Sequence, residues 1–280
     1  MLKVGYLGPE GTYSEEASIL YAKKIDRKDI KFIPFSTFHD VLSAVDSKKV
    51  NEGVLPIENS IEGTVGIVED ILVKDVNLKI YQEIVIPVHQ CLIANKGVTI
   101  SDITDVVSHP QPIEQCRQYL RKTLPNAELH LAHSTSSAVK QIAASDKKTM
   151  AAIGPEGSAK LYGLVVLKKD INDYTNNRTR FIVVSKKDHP ATGCDKTSIA
   201  FSIAKDKPGG LYNILGEFAL RNINLNKIES RPAKTALGNY YFFADFDGHK
   251  TDKKVKDALS AIKKKASFLK IFGSYPKAKE

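Results

Sequence analysis

The chain has 280 residues, 42% of them hydrophobic, and a formal charge of +9, which predicts two or three compact units with real cores. Its three cysteines, Cys91, Cys116 and Cys194, are widely spaced and form no Cys-x-x-Cys pair; neither a disulfide framework nor a zinc ribbon is suggested, and a reducing cytoplasm fits. The lysines are scattered and dense only at 253–254, 263–265 and 277, with no nucleic-acid recognition signature and no run apolar enough to span a membrane, so the expected partner is neither nucleic acid nor membrane.

From residue 3 to about 185 short apolar runs alternate with amphipathic stretches, the pattern of an α/β unit with mainly parallel strands. Strands are predicted at 3–7, 31–35, 53–57, 84–94, 104–108, 128–133, 149–153, 164–167 and 181–185. Helices are predicted at 14–25, 37–48, 64–73, 113–123, 136–145 and 157–162. Nine strands are many for one open sheet, and the long apolar run from Tyr81 to Asn95 is interrupted by Pro87. That run is expected to cross between two lobes separated by a cleft. Lys3–Leu7 reads as a first strand without the basic start and cleavage site of a signal peptide. Residues 186–196 have linker composition, after which a strand (197–204), a helix (209–221), strands (223–230, 239–246), a helix (252–265) and a strand (268–272) follow. This β-α-β-β-α-β order is ferredoxin-like.

Several segments combine turn-forming residues with groups able to hold a ligand. Gly8-Pro9-Glu10-Gly11-Thr12-Tyr13-Ser14 opens the first helix; its free amides and the Thr12 and Ser14 hydroxyls suit a carboxylate or phosphate, and it reads equally as a turn with Ser14 as N-cap. It lacks the P-loop and dinucleotide spacings, so no nucleotide or nicotinamide cofactor is indicated. The near copy Gly154–Ser158 reads as a structural turn. Glu58, Asn59, Ser60 and Thr64 follow the third strand, where ligands gather in open α/β sheets, and Asn59 offers the donor and acceptor needed to orient a departing hydroxyl. Ser108 ends a strand and Gln115 lies one turn into the next helix; His109 has no acid partner and Cys116 falls on an interior helical face, so both read as packing residues. His130 and His133 fall on opposite faces of a strand and make no metal pair. Asn176-Asn177-Arg178-Thr179-Arg180-Phe181 sets a hydroxyl between two guanidiniums at a strand edge, which alone is a polar loop but suits binding and protonating an anion. Gly209–Tyr212 and Glu229–Pro232 are each a tight turn taken alone, with amides suited to an amino acid's carboxylate.

Taken together, GPEGTYSEEA at 8, LPIENSIEGTV at 55, SHPQPIEQC at 108, NRTRF at 177 and GGLYNILGEFALRNINLNKIESRP at 209 resemble the prephenate dehydratase family, in order and over nearly the whole chain. The resemblance implies a bilobed, periplasmic-binding-protein-like catalytic domain over 1–185 with its second lobe at about 82–160, a linker at 186–196, and an ACT domain over 197–280. It implies decarboxylating dehydration of prephenate to phenylpyruvate, without metal or other cofactor. Thr179 is implied as donor to the leaving hydroxyl, assisted by Arg178, Arg180 or water; Asn59, Ser108, Gln115 and Arg180 complete the implied catalytic set, with Thr12, Ser60, Thr64 and Phe181 lining the pocket. The resemblance further implies inhibition by L-phenylalanine bound across a dimer interface at Gly209, Gly210, Leu211, Asn213, Glu229, Ser230, Arg231 and Pro232, in a homo-oligomer that is a dimer or a tetramer built from dimers. Gly210 stands where the usual ACT motif has alanine. Arogenate, the amino-acid counterpart of prephenate, is the nearest rival substrate, and a non-catalytic amino-acid sensor is the rival of a different class.

Overall fold

The computed structural model describes residues 1–203, 208–234 and 238–278; Ala204, the end of the predicted strand 197–204, lies outside them. The first lobe comprises β1 (Leu2–Leu7), α1 (Tyr13–Lys24), β2 (Ile30–Phe35), α2 (Phe38–Asp46), β3 (Glu52–Asn59), the short β4 (Gly63–Thr64), α3 (Gly66–Lys74) and β5 (Lys79–Pro87). The second contains β6 (Cys91–Ala94), β7 (Asp105–Ser108), α4 (Pro110–Gln115), α5 (Arg117–Thr123), β8 (Glu128–Leu131), α6 (Thr135–Ala143), β9 (Met150–Gly154), α7 (Glu156–Leu161) and β10 (Val165–Lys168). The chain then returns to the first lobe as β11 (Arg178–Ser185). The C-terminal unit is β12 (Asp195–Ile203), α8 (Gly210–Ala219), β13 (Leu225–Pro232), β14 (Tyr240–Asp247), α9 (Lys253–Lys265) and β15 (Ala266–Pro276). No helix among the described residues is long and apolar enough to cross a membrane.

The first sheet runs β2-β1-β3-β11-β5 with β4 paired to β3, and the second β10-β6-β9-β7-β8. The chain therefore passes twice between the lobes, at 88–90 and at 169–177. The second lobe begins later than residue 82 and extends beyond 160. The reason is register: Lys79–Pro87 pairs along β11 in the first sheet, while β10 pairs with β6 in the second. The predicted helix 113–123 is broken at Cys116, because Asp173 of the second crossover accepts the N–H groups of Gln118 (3.0 Å) and Tyr119 (3.4 Å) and so starts a new helix there. The first helix starts from Thr12, not Ser14: the Thr12 side chain accepts the Glu15 N–H, and Ser14 is buried.

The C-terminal sheet runs β13-β14-β12-β15, entirely antiparallel. Alternation along its strands gives it two apolar faces. Ile199, Phe201, Ala244 and Phe246 pack beneath α8 and α9, where Val255, Ala258, Leu259 and Ile262 form the buried stripe of a lysine-rich helix. Ala200, Phe243, Phe272 and Tyr275 face the other way and share one core with Leu55, Ile57, Ile80, Ile182 and Val184 of the first lobe. Burying each such large side chain contributes about 1.5–3 kcal/mol, so the C-terminal unit is fastened to the first lobe and not merely tethered to it.

Gly273 sits where β15 presses on β5, and a Cβ there would lie 2.5 Å from the Ile80 carbonyl oxygen at a φ of +150°. Gly273→Ala is expected to cost about 1–3 kcal/mol, read as a thermal midpoint several degrees lower. Gly216→Ala, in open space on α8, should leave the midpoint equal or higher. Equal midpoints for Gly273→Ala and wild type would refute the close docking of β15.

Candidate active site

Along β11 successive side chains point to opposite faces of the sheet. Phe181 and Val183 join the core beneath α1, while Ile182 and Val184 join the core shared with the C-terminal sheet. Thr179 belongs to the first set by alternation and Arg180 to the second. Thr179 pairs in register with Asn59, at the end of β3, and both are nearly buried.

Asn59 organises the site. Its Oδ1 accepts the backbone N–H groups of Ile61 and Glu62, each at 3.0 Å, which fixes which end of the amide is oxygen. Its Nδ2 then donates to Thr179 Oγ1 (2.9 Å) and to Asn177 Oδ1 (2.8 Å). Asn177 Nδ2 donates to Gln115 Oε1 (3.0 Å), and Gln115 Nε2 reaches Glu62 Oε1 (3.3 Å). Each amide orients the next, and the chain crosses from the first lobe to the second. Its chemical consequence is at Thr179: the hydroxyl oxygen is occupied as an acceptor, and no acceptor among the described residues takes its hydrogen. That hydrogen is available to a ligand.

The remaining sequence-expected residues divide. Ser60 accepts the Arg178 N–H (2.9 Å) and donates to the Asn176 carbonyl (3.3 Å), binding the turn after β3 to the start of β11. Ser108 is wholly buried and donates to the Ile153 carbonyl (2.7 Å), bracing β7 against β9 without a bond to the amide chain. Thr12 caps α1 and donates to the Leu7 carbonyl (3.2 Å). Phe181, 2% exposed, packs with Tyr21, Ile84 and Ile86 as core and not as pocket lining. Thr64 turns away from the cleft and donates to Glu229 of the C-terminal unit. His109 caps α4, its Nδ1 accepting the Gln111 N–H, and burial lowers its pKa.

Arg180 differs most from its expected role. Its guanidinium bonds Glu58 (2.8 Å), Glu83 (3.4 Å) and Asp245 (2.9 Å), the last on β14. Burial works against its charge, but Asp245, Glu58 and Glu83 together hold it firmly protonated. Burial alone would raise Asp245; Arg180 and the Ser198 hydroxyl hold it below the usual carboxylate range. Already ringed by three carboxylates on the face opposite Thr179, Arg180 is not a substrate clamp. Neither Asn177 nor Gln90, whose Nε2 donates to Gln115 Oε1 (3.4 Å), was among the expected residues. Asn177 shares the two-residue period of Thr179, and Gln90 is a lone amide within an apolar run; those were the available signals.

The lobes also touch where Ser158 donates to the Gly11 carbonyl (2.5 Å) and Ser136 to that of Glu10. A groove of about 920 Å³ follows α1 and α7 past His89 and Asp170 and does not include Thr179. The groove that reaches the amide chain is about 480 Å³, lined by Ile61, Glu62 and Gln115 with Arg117 and Arg121 as its cations. Thr179 lines neither groove, but the smaller one contains Gln115 and Glu62, the far end of the hydrogen-bond chain that holds it, so the smaller groove is the better candidate.

In the C-terminal unit, Phe242 pairs with Phe201 on one side and Ser230 on the other, so the α8 start and the end of β13 lie at one end of the sheet, flanking β14. Gly209 takes the left-handed conformation (φ +79°) as N-cap of α8, its carbonyl accepting the Asn213 N–H (2.9 Å), and Leu211 packs on the core of this unit. A Cβ on Gly210 would meet Ile203 Cγ2 at 3.2 Å, so glycine here relieves a tight contact. Ser230 and Pro232 are exposed. Glu229 and Arg231 instead face the first lobe, Glu229 accepting from Thr64 and Arg231 pairing with Asp70 of α3 (3.0 Å) over Gly66. Lys227 pairs with Glu69 (2.6 Å).

Comparison with known proteins follows these boundaries. The prephenate dehydratase family model matches residues 4–189 and the ACT domain model residues 197–264. The prephenate dehydratase of Methanocaldococcus jannaschii is 42% identical over 275 residues, 97% of each chain. Arogenate dehydratase/prephenate dehydratase 2 of Arabidopsis thaliana is 38% identical, covering 98% of this chain and 73% of its own. The solved prephenate dehydratase of Arthrobacter aurescens in complex with L-Phe has a TM-score of 0.91 at 35% identity, covering 99% of this chain and 90% of that one.

Glu69 gives the interface between the units a pH dependence. Burial pushes its pKa up to about 7 despite Lys227, and its Oε2 is buried without a partner. The folded state therefore binds a proton that the unfolded chain releases near 4.5, and stability declines as pH rises from there to about 7. Unfolding free energies at pH 5 and pH 8 should differ less in Glu69→Gln than in wild type, by up to about 3 kcal/mol. Identical pH dependence in the two proteins would show that Glu69 is charged throughout.

Proposed function

We infer that this chain, which belongs to the prephenate dehydratase family, converts prephenate to phenylpyruvate, carbon dioxide and water. The substrate is a cyclohexadiene that becomes aromatic when its ring carboxylate leaves as carbon dioxide and its ring hydroxyl leaves as water. The electrons of the breaking C–C bond complete the ring, so no external electron sink is required. The protein has to hydrogen-bond the departing oxygen, orient the dianion, and avoid over-stabilising the carboxylate that is lost.

The observation that carries this reading is the direction of the Asn59–Thr179 bond. Because Asn59 donates to Thr179 Oγ1, the threonine's own hydrogen is directed to the leaving hydroxyl, a bond that strengthens as the C–O bond breaks. Threonine is a weak acid, and water is the net proton source. In the adjoining groove Arg117 is paired with Glu114 (3.0 Å), and Arg121 is the cation assigned to the dianion in place of the saturated Arg180. Asn177 and Gln115 hold the donor in position from both lobes.

L-phenylalanine binding by the ACT unit is the regulatory part of this reading, supported by the Arthrobacter relative solved with L-Phe. Gly209, Gly210, Leu211 and Asn213 on one side and the exposed Ser230 and Pro232 on the other are the residues assigned to it, while Glu229 and Arg231, bonded to Thr64 and Asp70, link that segment to the first lobe. Exposed Tyr212 on α8, Leu220 at its C-cap and Ile228 on the edge strand β13 favour assembly with a second copy. Inhibition requires that phenylalanine bind one arrangement of β13 and the first lobe more tightly than another.

Thr179→Ala should lower kcat on prephenate by roughly 10²–10³ with circular dichroism and thermal midpoint near wild type, and Thr179→Ser should recover part of the rate. Near-normal turnover in Thr179→Ala removes the proton-donor assignment. Assaying prephenate and arogenate side by side identifies the substrate; turnover of arogenate alone changes it. L-phenylalanine at about 100 times its Kd should add roughly 2.7 kcal/mol of stability and slow turnover. Unchanged midpoint and rate at saturating phenylalanine would sink the regulatory assignment.

A further inference from the structure

The amide chain ends in an acceptor that accepts nothing. Gln90 lies on the first crossover and is 2% exposed; its Nε2 donates to Gln115 Oε1 (3.4 Å), while its Oε1 is buried with no partner among the described residues. Its ends cannot be exchanged. Gln115 Oε1 is already fixed as an acceptor by Asn177 Nδ2, in a chain whose direction is set by the backbone N–H groups at Asn59, so reversing Gln90 would bring two oxygens together. Its backbone is held as well, the N–H donating to Asn172 Oδ1 (3.2 Å) and the carbonyl accepting the Ile171 N–H (3.0 Å), which ties the two crossovers together. A buried acceptor left unpaired costs about 1–3 kcal/mol, and a chain of satisfied amides ending in one points to a missing donor.

We propose that Gln90 is a further substrate-binding residue, its Oε1 accepting the hydrogen of the ring hydroxyl that leaves. This rests on the prephenate reading above. Prephenate enters as a dianion whose two carboxylates and ketone are all acceptors, and its ring hydroxyl is its one hydrogen-bond donor. An acceptor locked at its amide end can meet only that group. Thr179 has the complementary capacity, a free hydrogen for the same oxygen. Gripped from both sides, the hydroxyl is held at one orientation about its C–O bond before that bond breaks. No bond to Gln90 forms or breaks; when the hydroxyl leaves as water, Gln90 still accepts one of its hydrogens.

The test is steady-state kinetics of the full chain carrying Gln90→Met, which keeps the side-chain length and removes the acceptor. Expected is a kcat/KM for prephenate lower by about tenfold or more, with a thermal midpoint at or above wild type, since the orphaned oxygen is lost along with one long hydrogen bond. Product inhibition by phenylpyruvate, which lacks the ring hydroxyl, should be unchanged. If Gln90→Met does not fold, Gln90→Leu is read in the same way. Unfolding of both variants, kcat/KM within twofold of wild type, or equal weakening of prephenate turnover and phenylpyruvate inhibition would assign Gln90 to the scaffold and overturn the inference. A wild-type chain that does not turn over prephenate at all overturns the underlying reading, and this one with it.

Discussion

A single guanidinium joins the three parts of this molecule's logic. Arg180 is held by Glu58 of β3, Glu83 of β5 and Asp245 of β14, so one side chain spans two strands of the first lobe and the sheet of the C-terminal unit. Around it the ring continues through Lys196 to Glu83 and through Ser198 to Asp245 and Tyr275. Removing one member of such a buried set leaves uncompensated charge, at about 3–5 kcal/mol. The set specifies how the C-terminal sheet sits on β11, and the shared apolar core supplies most of the burial that keeps it there.

That constraint reaches the site because Arg180 and Thr179 are neighbours on one strand. A backbone shift at Arg180 moves Thr179 with it, and the two-residue period puts one on the face toward the C-terminal sheet and the other beside Asn59. A second contact runs parallel to the first: Glu229 on β13 meets Thr64 on β4, which pairs with Glu58 and adjoins Asn59. An effector that alters the position of β13 or β14 therefore has short, bonded routes to both partners of the Asn59–Thr179 hydrogen bond.

The chemistry at that bond depends on orientation more than on charge. The amides of Asn59, Asn177 and Gln115 carry no charge, a carboxylate, Glu62, enters only at the far end, and their direction is inherited from two backbone N–H groups. Amides in place of a cation beside Thr179 suit a reaction in which a carboxylate must leave, because a strong cation against that carboxylate would stabilise the ground state it has to abandon. The arginines are accordingly elsewhere, Arg180 in the interdomain ring and Arg117 and Arg121 at a groove mouth.

Much of this architecture is legible in the chain itself. Periodicity and turn residues determined the element order, the two α/β lobes and the ferredoxin-like unit, because local apolar patterns decide which residues form strands and helices. The motifs at 8, 55, 108, 177 and 209 determined the family for the same reason: they are contiguous. Tertiary structure decided the rest. With the strand started at 181, Arg178, Thr179 and Arg180 looked like one cluster; pairing of 178–180 with β3 and β5 extends the strand and separates the last two onto opposite faces. The helix break at Cys116 comes from Asp173, more than fifty residues away in the chain. The role of Arg180 was set by carboxylates on three different strands, and the role proposed for Gln90 rests on an acceptor without a partner among the described residues. Sequence patterns report each residue's local preference, whereas which side chains meet, and which atom is left unpaired, depends on long-range packing that no short window contains.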